Sequence, residues 1–221
     1  IIYNLRIKMN SAIILAGGTG SRINSKIPKQ FIEFDSKKVI DFSITAFKQN
    51  KNIDEIILVL NKIWIDKLKN EYKDCILIEG GKSRSQSSLN GIYACSKKSN
   101  NILIHDAARP LLSQKIIDSC IYHLDIHDAV TPFIDISDSL IEKDKNIIKY
   151  INRDLIKSIQ TPQGFKKNII FDALKSTNSY GTDDISTLLN YYPLTKVKFF
   201  EGDENNFKIT RDIDLKIFES I

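Results

Sequence analysis

The glycine-rich stretch near the start of the sequence combines residue types that bind phosphate groups. It reads Ala16-Gly17-Gly18-Thr19-Gly20-Ser21-Arg22 and continues to Pro28-Lys29-Gln30. Glycine permits a positive φ and lets a ligand approach the backbone amides closely. The amides can then surround phosphate oxygens while Arg22 and Lys29 offset their charge. The stretch therefore predicts a polyphosphate site.

This stretch differs from two common phosphate-binding loops. The Walker A order of Gly, four residues and Gly-Lys-Ser/Thr is absent, and the dinucleotide fingerprint needs a third glycine where Ile23 stands. The sequence therefore supports neither a P-loop NTPase nor an NAD enzyme of the usual Rossmann type. For the glycines alone, a tight strand-to-helix turn with solvated lysines remains the alternative.

Two further groups of polar residues could contact such a ligand. Asp106 closely follows the apolar run 102–104, and Mg²⁺ usually takes one or two protein carboxylates together with phosphate oxygens and waters. The alternative is an aspartate that caps the next turn and pairs with Arg109. Arg84 and Ser87 lie near the start of a predicted helix, where they could bind an anion or the edge of a base. Capping of that helix by a neighbouring serine is the alternative there.

The histidines suit structural roles better than metal binding. His123 and His127 are four residues apart, but no Glu follows His123 as in the HExxH motif, so we expect a surface pair. His105 is expected to hold the end of a strand through a hydrogen bond. No Gly-x-Ser-x-Gly motif is present, so the sequence gives no support for a Ser-His-Asp arrangement.

The composition is typical of one soluble globular domain, with 221 residues, 42% hydrophobic and 27% charged. The net charge of +5 is too small and too dispersed to favour a nucleic-acid partner. No apolar run reaches transmembrane length, so no membrane partner is expected. The cysteines, Cys75, Cys95 and Cys120, form no CxxC pair, which indicates free thiols in a reducing compartment, the cytoplasm.

Strand-like and helix-like segments alternate along the chain, which is typical of an α/β fold with a mostly parallel sheet and helices on both faces. The predicted strands are 13–16, 55–60, 75–78, 102–104, 129–134 and 197–200. The predicted helices are 39–47, 63–72, 85–97, 114–124 and 166–174, with a further helix capped by Thr182 and a closing helix. Ligands in such folds bind outside the carboxyl ends of the strands. The glycine-rich stretch, Gly80-Gly81 and Asp106 fall at such ends, so we expect them to converge.

A projecting hairpin interrupts this alternation. Two strand-like runs, 139–142 and 147–151, flank the polar turn 143–146. Because an isolated hairpin is marginally stable in water, we expect it to pack on another surface, such as a second subunit. Residues 1–10 are interpreted as a leader, and residues 11–221 as one domain that includes this arm at about 136–156.

Six motifs, in order and in register from about Ser11 to the C-terminus, resemble one family. It is the 2-C-methyl-D-erythritol 4-phosphate cytidylyltransferases, with the closely related ribitol-5-phosphate cytidylyltransferases. The motifs are Leu15-Ala16-Gly17-Gly18-Thr19-Gly20-Ser21-Arg22, Pro28-Lys29-Gln30, Gly80-Gly81-x-x-Arg84, His105-Asp106-Ala107-Ala108-Arg109-Pro110, Gln160-Thr161-Pro162-Gln163-x-Phe165 and Asn206-Phe207-Lys208-Ile209-Thr210.

The resemblance implies a Rossmann-like nucleotidyltransferase that uses CTP, a polyol phosphate and Mg²⁺. A phosphate oxygen of the acceptor would attack the α-phosphorus of CTP and pyrophosphate would leave, a reaction that depends on positioning and charge neutralisation. With 2-C-methyl-D-erythritol 4-phosphate as the acceptor, the product would be CDP-methylerythritol, an isoprenoid precursor of the non-mevalonate pathway.

By position in the motifs, the resemblance also implies roles for single residues. Those that match the catalytic cations are Arg22, Lys29 and Lys208. Those that match the CTP site are Ala16, Gly17, Gly18, Thr19, Gly20, Gly81, Arg84 and Ser87. Those that match the acceptor site are Asp106, Arg109, Ser139, Arg153 and Thr161, and Asp106 also matches the Mg²⁺ ligand. The hairpin matches the family's dimerisation arm, from which Ser139 and Arg153 would reach the acceptor site of the other subunit.

Some positions depart from the family pattern. Ala16-Gly17-Gly18 replaces the Ala-Ala-Gly of methylerythritol-type enzymes and is common in the ribitol type. Asp138-Ser139 replaces Asp-Thr in the arm, and Asn205 replaces an acidic residue. Asp106-Ala107-Ala108-Arg109, in contrast, is the methylerythritol form, and Leu89-Asn90-Gly91-Ile92 also favours that type. The sequence therefore predicts methylerythritol phosphate as the acceptor.

Three alternatives remain open. The acceptor could be ribitol 5-phosphate or another polyol phosphate used for surface polymers. The chain could be a non-catalytic nucleotide-binding dimer module, although such a module has no need to keep Arg22, Lys29, Asp106 and Lys208 together. A sugar-1-phosphate nucleotidyltransferase would share the opening loop but would not explain the later motifs.

Overall fold

Strands and helices alternate along the chain as the sequence predicts. The structure, a computed structural model, describes residues 8–18, 27–145, 147–176 and 181–221. The strands are β1 (Met9–Ala16), β2 (Glu33–Phe34), β3 (Lys37–Lys38), β4 (Glu55–Leu60), β5 (Ile76–Glu79), β6 (Ser99–Asp106), β7 (Ala129–Asp135), β8 (Leu140–Asp144), β9 (Ile147–Ile151), β10 (Lys157–Ile159), β11 (Gln163–Lys166) and β12 (Val197–Glu201). The helices are α1 (Val39–Gln49), α2 (Lys62–Leu68), α3 (Arg84–Ala94), α4 (Gln114–Leu124), α5 (Lys167–Ser176), α6 (Asp184–Tyr191) and α7 (Asp212–Glu219). Lys29–Phe31 and Arg153–Leu155 form short 3₁₀ helices.

The main sheet is mixed but mostly parallel. β6, β1, β4 and β5 lie side by side in parallel, and β7 pairs in parallel with β12. β11 lies between β6 and β7, antiparallel to both, and β10 runs antiparallel along the same edge of β7. The predicted α/β fold is confirmed, whereas β10 and β11 were not predicted, because these short segments show no apolar alternation.

The apolar residues of β1 that precede the glycine-rich stretch pack on both faces of the sheet, because helices cover it on both sides, and Leu15 among them is partly buried. Ala12 and Ile14 pack in the core on the side of α1, α2 and α4. Ile13 points to the other face, where it packs with residues of α3, α5 and α6. All three are fully buried. This two-sided burial fixes the strand that carries the glycine-rich stretch.

Some predicted boundaries differ from the structure. β1 begins at Met9, inside the segment interpreted as a leader, and pairs there with β6. α3 ends at Ala94, three residues early, and the Lys167 ammonium donates to the carbonyls of Cys95 and Ser96 just beyond this end. α6 is capped by Asp183 and not by Thr182, because the Asp183 carboxylate accepts a hydrogen bond from the backbone N–H of Ser186.

The predicted hairpin is present as β8 and β9, which form a two-stranded antiparallel sheet separate from the main one. Its apolar side chains are exposed: Ile147 is 70%, Ile148 61% and Tyr150 78% accessible to solvent. This arrangement leaves an apolar surface on the arm.

No helix within the described ranges combines the length and the apolar character that a membrane span needs.

We predict that Gly91→Ala destabilises the fold. Gly91 in α3 packs against β1, and an added Cβ would lie 2.6 Å from Cγ2 of the fully buried Ile13. The resulting overpacking costs about 1–3 kcal/mol, which outweighs the gain of about 1 kcal/mol in helix propensity. Urea denaturation should show a lower free energy of unfolding. Lys115→Ala, at an exposed position of α4, is the control and should stay within about 0.5 kcal/mol of wild type. A Gly91→Ala protein at least as stable as wild type would contradict this account of the packing.

Candidate active site

A cleft of about 460 Å³ opens at the carboxyl ends of β1 and β6, where the sequence places the site. The predicted residues that line it are Ala16, Gly17, Gly18, Lys29, Gly81, Arg84, Ser87, Asp106 and Lys208. Among the described lining residues, the cations are Lys29, Lys82, Arg84 and Lys208, and Asp106 is the one carboxylate. We call this the cationic cleft. Its charge suits a polyanion such as a nucleoside triphosphate.

Thr19, Gly20 and Arg22, which the sequence also assigns to this site, lie outside the described residues.

Gln30 fixes the turn by which the chain leaves β1. Its side-chain amide nitrogen donates to the carbonyl oxygens of Ala16 and Gly18, each at 2.7 Å, and the residue is buried. These two bonds fix the carbonyl groups of the residues on either side of Gly17. Sequence reasoning placed Gln30 in a motif but gave it no role. The signal was its position directly beside Lys29.

The turn before α3 is held by its own serines. The Ser87 hydroxyl accepts from the N–H of Gly81 at 3.0 Å and donates to the carbonyl of Ser83 at 2.9 Å. Ser83 caps the helix by accepting from the N–H of Gln86. A Cβ on Gly81 would lie 2.0 Å from Cγ of Gln86, so this turn requires glycine. Capping by a neighbouring serine, the alternative raised by the sequence, is therefore present. Arg84 and Ser87 also line the cleft.

Asp106 is a carboxylate that contacts two of the cations in the site. Its Oδ2 accepts from the ammonium of Lys208 at 2.6 Å, and its Oδ1 lies 3.2 Å from a terminal nitrogen of the Arg84 guanidinium. Burial alone would raise the pKa of Asp106, but Arg84 and Lys208 outweigh it and hold this pKa well below its usual range. Asp106 is therefore a carboxylate at any physiological pH.

Arg109 does not form the ion pair with Asp106 that the alternative reading expected. Its guanidinium donates to the carbonyls of Asn206 at 2.7 Å and Ile159 at 3.4 Å, and its backbone N–H donates to the carbonyl of Asp106. Arg109 thus joins the turn after β6 to two loops that are distant in the sequence.

Lys29 and Lys208 are connected through one loop. The ammonium of Lys29 donates to the carbonyl oxygen of Ile209, the residue that follows Lys208. Two predicted catalytic cations from opposite ends of the chain therefore meet at the same cleft.

A second cavity of about 350 Å³ adjoins the cationic cleft, and we call it the adjoining cavity. Arg84, Asp106 and Lys208 line both spaces. The adjoining cavity also contains the predicted acceptor residues Arg109 and Thr161, with Gln160, Gln163, Thr182 and Asp183, which sequence reasoning did not assign. The signal for Thr182 and Asp183 was a glycine followed by two helix-capping residue types.

The structure does not bring Ser139 and Arg153 to either space. Both are exposed on the arm, and Arg153 donates to the carbonyl of Ser137 there. Within this chain, three of the five predicted acceptor residues therefore converge and two do not.

A buried hydrogen-bond chain positions Asp106 from behind. The Nε2–H of His105 donates to the carbonyl of Arg109 at 3.0 Å, and Nδ1 of His105 accepts from the Thr161 hydroxyl at 3.0 Å. The Thr161 oxygen in turn accepts from the backbone N–H of Asp106 at 3.2 Å. A carbonyl can only accept, so Nε2 carries a proton. Burial lowers the pKa of His105 to about 4, so at neutral pH the ring holds no second proton and Nδ1 accepts from Thr161. His105 therefore holds the end of the strand through hydrogen bonds, as predicted, and the structure adds that its ring is neutral.

The remaining histidines contribute no metal centre. His123 and His127 lie at the surface with ring centroids 6.3 Å apart. Within the described part of the chain, no group of three or more His, Cys, Asp or Glu residues could hold a metal ion.

We predict that the stability of the protein falls as the pH drops from about 6.5 to 4. Burial lowers the pKa of His105 from 6.5 to about 4, so the unfolded chain binds more protons than the folded one in this window. The contribution is fully present above pH 6.5 and amounts to about 3 kcal/mol. Urea denaturation of wild type and His105→Gln at pH 7.5 and 4.5 measures it. The loss on acidification should be smaller in the variant, and equal losses would contradict a neutral buried His105.

Comparison with known proteins shows which family this chain resembles. A model of the family IspD, 2-C-methyl-D-erythritol 4-phosphate cytidylyltransferase, matches residues 10–221. A protein of that name from Lachnospira eligens is 36% identical over 221 residues, covering 95% of this chain and 97% of the relative. A bifunctional ribulose 5-phosphate reductase/CDP-ribitol pyrophosphorylase from Haemophilus influenzae is 36% identical over 229 residues, covering 96% of this chain and 48% of that protein.

Solved structures show the same likeness. The crystal structure of 4-diphosphocytidyl-2C-methyl-D-erythritol synthase from Anaerococcus prevotii has a TM-score of 0.86 at 30% identity, covering 96% of this chain and 95% of that one. The bifunctional IspDF from Campylobacter jejuni has a TM-score of 0.82 at 29% identity, covering 95% of this chain and 54% of that one. These findings confirm the predicted resemblance and the Rossmann-like nucleotidyltransferase fold. The chain therefore belongs to the 2-C-methyl-D-erythritol 4-phosphate cytidylyltransferase family of nucleotidyltransferases.

Proposed function

We propose that this chain transfers CMP from CTP to 2-C-methyl-D-erythritol 4-phosphate, giving CDP-methylerythritol and pyrophosphate for non-mevalonate isoprenoid synthesis. The observation that carries the proposal is the pair of spaces that share Arg84, Asp106 and Lys208 as a common wall. The cationic cleft suits the triphosphate of CTP. The adjoining cavity suits a small polar acceptor, so the two reactants would meet at these side chains.

The reaction is an in-line displacement at phosphorus. A phosphate oxygen of the acceptor forms a bond to the α-phosphorus of CTP, and the bond from that phosphorus to the pyrophosphate oxygen breaks. No covalent enzyme intermediate is needed, so catalysis rests on positioning and on neutralising negative charge. Lys29 and Lys208 would supply that charge, and the glycine-rich stretch would supply backbone N–H donors.

Mg²⁺ is the cofactor we propose, and Asp106 would hold it. A single ionised carboxylate beside a polyphosphate site fits the preference of Mg²⁺ for one or two carboxylates with phosphate oxygens and waters. Both Asp106 oxygens already contact cations, and the described residues offer no cage of three ligands. The protein residues therefore fit this ion only together with the nucleotide. When bound, it would neutralise phosphate charge.

Ribitol 5-phosphate is the second candidate acceptor. It is favoured by Ala16-Gly17-Gly18 and by the name of the Haemophilus influenzae relative, whose activity includes CDP-ribitol pyrophosphorylase. Methylerythritol phosphate is favoured by Asp106-Ala107-Ala108-Arg109 and by the family itself.

Pyrophosphate release from CTP and Mg²⁺, with each acceptor offered in parallel, tests both candidates. Turnover with methylerythritol phosphate alone supports the proposal, and turnover with ribitol phosphate alone supports the second candidate. No turnover with either, together with measurable CTP binding, would favour a non-catalytic nucleotide-binding module.

The arm is proposed to form a homodimer. Its exposed isoleucines and Tyr150 provide an apolar surface on a hairpin that is marginally stable alone. In such a dimer, Ser139 and Arg153 would complete the acceptor site of the other subunit. This arrangement accounts for two predicted acceptor residues that lie outside both cavities of a single chain.

A cytoplasmic location is also proposed. Cys75, Cys95 and Cys120 are all free thiols, with Cys95 and Cys120 buried. Unpaired cysteines suit a reducing compartment.

We predict that Lys29→Ala lowers kcat about 10²–10³-fold, because one fixed charge beside the reacting phosphates is lost. The thermal midpoint should change by less than about 3 °C, since the side chain adds little to the core. Steady-state pyrophosphate release and a thermal melt measure the two effects. Lys115→Ala is the matched control, an exposed lysine on α4 that should retain wild-type turnover. Near-normal turnover of Lys29→Ala would remove this residue from the catalytic set.

We predict that Arg153→Ala raises the KM for the acceptor more than the KM for CTP, about tenfold against less than twofold. The reason is that a charged hydrogen bond to the acceptor phosphate, worth about 1.5–3 kcal/mol, would be lost. Lys149→Ala, a nearby exposed lysine on β9, is the control for a general loss of charge on the arm. Equal rises in both KM values would exclude the arm from the acceptor site.

A further inference from the structure

Arg84 lies at the junction of the cationic cleft and the adjoining cavity, with its guanidinium between two carboxylates. One terminal nitrogen donates to Oδ2 of Asp184 at 2.6 Å. Nε and the other terminal nitrogen donate to Oδ1 of Asp106 at 3.3 and 3.2 Å. The shorter and more direct contact is therefore the one to Asp184, which lies outside the predicted site residues.

Asp184 is fully buried, and its backbone is fixed at the start of α6. The Gln163 side-chain oxygen accepts from the N–H of Asp184 at 3.1 Å and from that of Ile185 at 3.2 Å. The Gln163 amide nitrogen also donates to the Asp183 carboxylate at 2.6 Å. The Asp184 carboxylate is thus held on a rigid support behind Arg84.

A buried ion pair is a poor device for stability. The Asp184 side chain is fully buried, and that of Arg84 is 28% exposed. Desolvation of a buried charge offsets much of its attraction to a partner, and apolar residues of similar volume often stabilise a fold as well or better. A carboxylate that is fully buried beside a site is better explained by what it holds in place. Asp184 holds the guanidinium of Arg84, whose opposite side contacts Asp106, the carboxylate proposed to bind Mg²⁺.

We propose that Asp184 is a positioning residue for the cytidylyl transfer, which fixes the Arg84 guanidinium against Asp106 at the junction of the two spaces. This inference rests on the proposed function for its kinetic consequence. With Asp184 present, Arg84 contacts Asp106 through Nε and one terminal nitrogen, while Asp184 binds the other terminal nitrogen. The guanidinium therefore cannot rotate to bind both oxygens of Asp106 or to move toward a bound phosphate. Without Asp184, Arg84 gains that freedom, and the geometry around Asp106 is lost.

The expected consequence is a loss in kcat and not in nucleotide affinity. Arg84 would still attract the nucleotide, but misplacement of a reacting group by about 1 Å can lower a rate about 10²-fold. Asp184→Asn should therefore lower kcat at least tenfold and change the KM for CTP less than threefold. Asparagine is nearly the same size, so it changes the packing little, and it replaces the charge-assisted bond to Arg84 by a weaker neutral one.

A double-variant cycle tests whether Asp184 acts through Arg84. The four proteins are wild type, Arg84→Met, Asp184→Asn and the double variant, each first shown to have a cooperative thermal transition. The double variant should match Arg84→Met within twofold in kcat. An effect of Asp184→Asn that is equally large with and without Arg84, or a kcat within twofold of wild type, would overturn the proposal.

The control is Asp125→Asn. Asp125 forms an exposed ion pair with Lys8 at 2.8 Å, beside the start of β1 and therefore at the end of that strand opposite the cleft. It should leave kcat unchanged in both backgrounds. If Asp184→Asn does not fold, Gln163→Met replaces it, because that change removes the acceptor of the Asp184 N–H and leaves both charges. Its effect on kcat must likewise vanish when Arg84 is absent.

A second measurement does not depend on turnover. The ¹⁵N–¹H signal of Arg84 Nε can be assigned by its absence in Arg84→Met. In wild type it should exchange slowly with water, and in Asp184→Asn at least tenfold faster. An unchanged exchange rate would overturn the positioning role even if the enzyme turns over. Slow exchange in a wild-type protein that is inactive with CTP and either acceptor would instead overturn only the proposed function.

Discussion

The site depends on one buried carboxylate that stays ionised. Asp106 sits at the carboxyl end of β6, where burial favours its neutral form, and Arg84 and Lys208 reverse that preference. The two cations come from α3 and from the loop that precedes α7. Their contact with Asp106 therefore requires these separate parts of the chain to fold together. The ionised Asp106 therefore joins β6 to α3 and to the loop before α7 through its two ion pairs.

The scaffold supplies this geometry by simple means. β1, β4 and β6 are parallel, so their carboxyl ends, and the turns that follow them, open on the same side. Gln30 holds the first turn through two carbonyls, and Ser87 with Ser83 holds the turn before α3. Behind Asp106, the neutral His105 and the Thr161 hydroxyl hold the backbone in place. Each support is a hydrogen bond that does not involve the side chains of Lys29, Arg84 and Lys208, which line the cleft.

The cationic cleft and the adjoining cavity suit a reaction that depends on aligning the reactants and needs no covalent intermediate with the enzyme. A transfer between phosphates proceeds when the attacking oxygen, the phosphorus and the leaving oxygen are held in line and their charge is neutralised. Arg84, Asp106 and Lys208 line both spaces. With CTP and the acceptor placed as proposed, a rotation of these side chains would disturb both reactants at once. The fixed contacts of Arg84 with Asp184 and Asp106 reduce that freedom.

The sequence by itself determined the parts of this protein that depend on local order. The buried run before the glycine-rich stretch, β4 and α4 follow from apolar spacing, and the motif positions identified most residues of the cationic cleft. Periodicity reports burial but not which distant groups meet, so only the tertiary structure decided the ion pairs of Asp106 with Lys208 and of Arg84 with Asp184, which are 102 and 100 residues apart. It also decided the insertion of the short, partly polar β11 between β6 and β7, because pairing partners and not local pattern make that segment a strand.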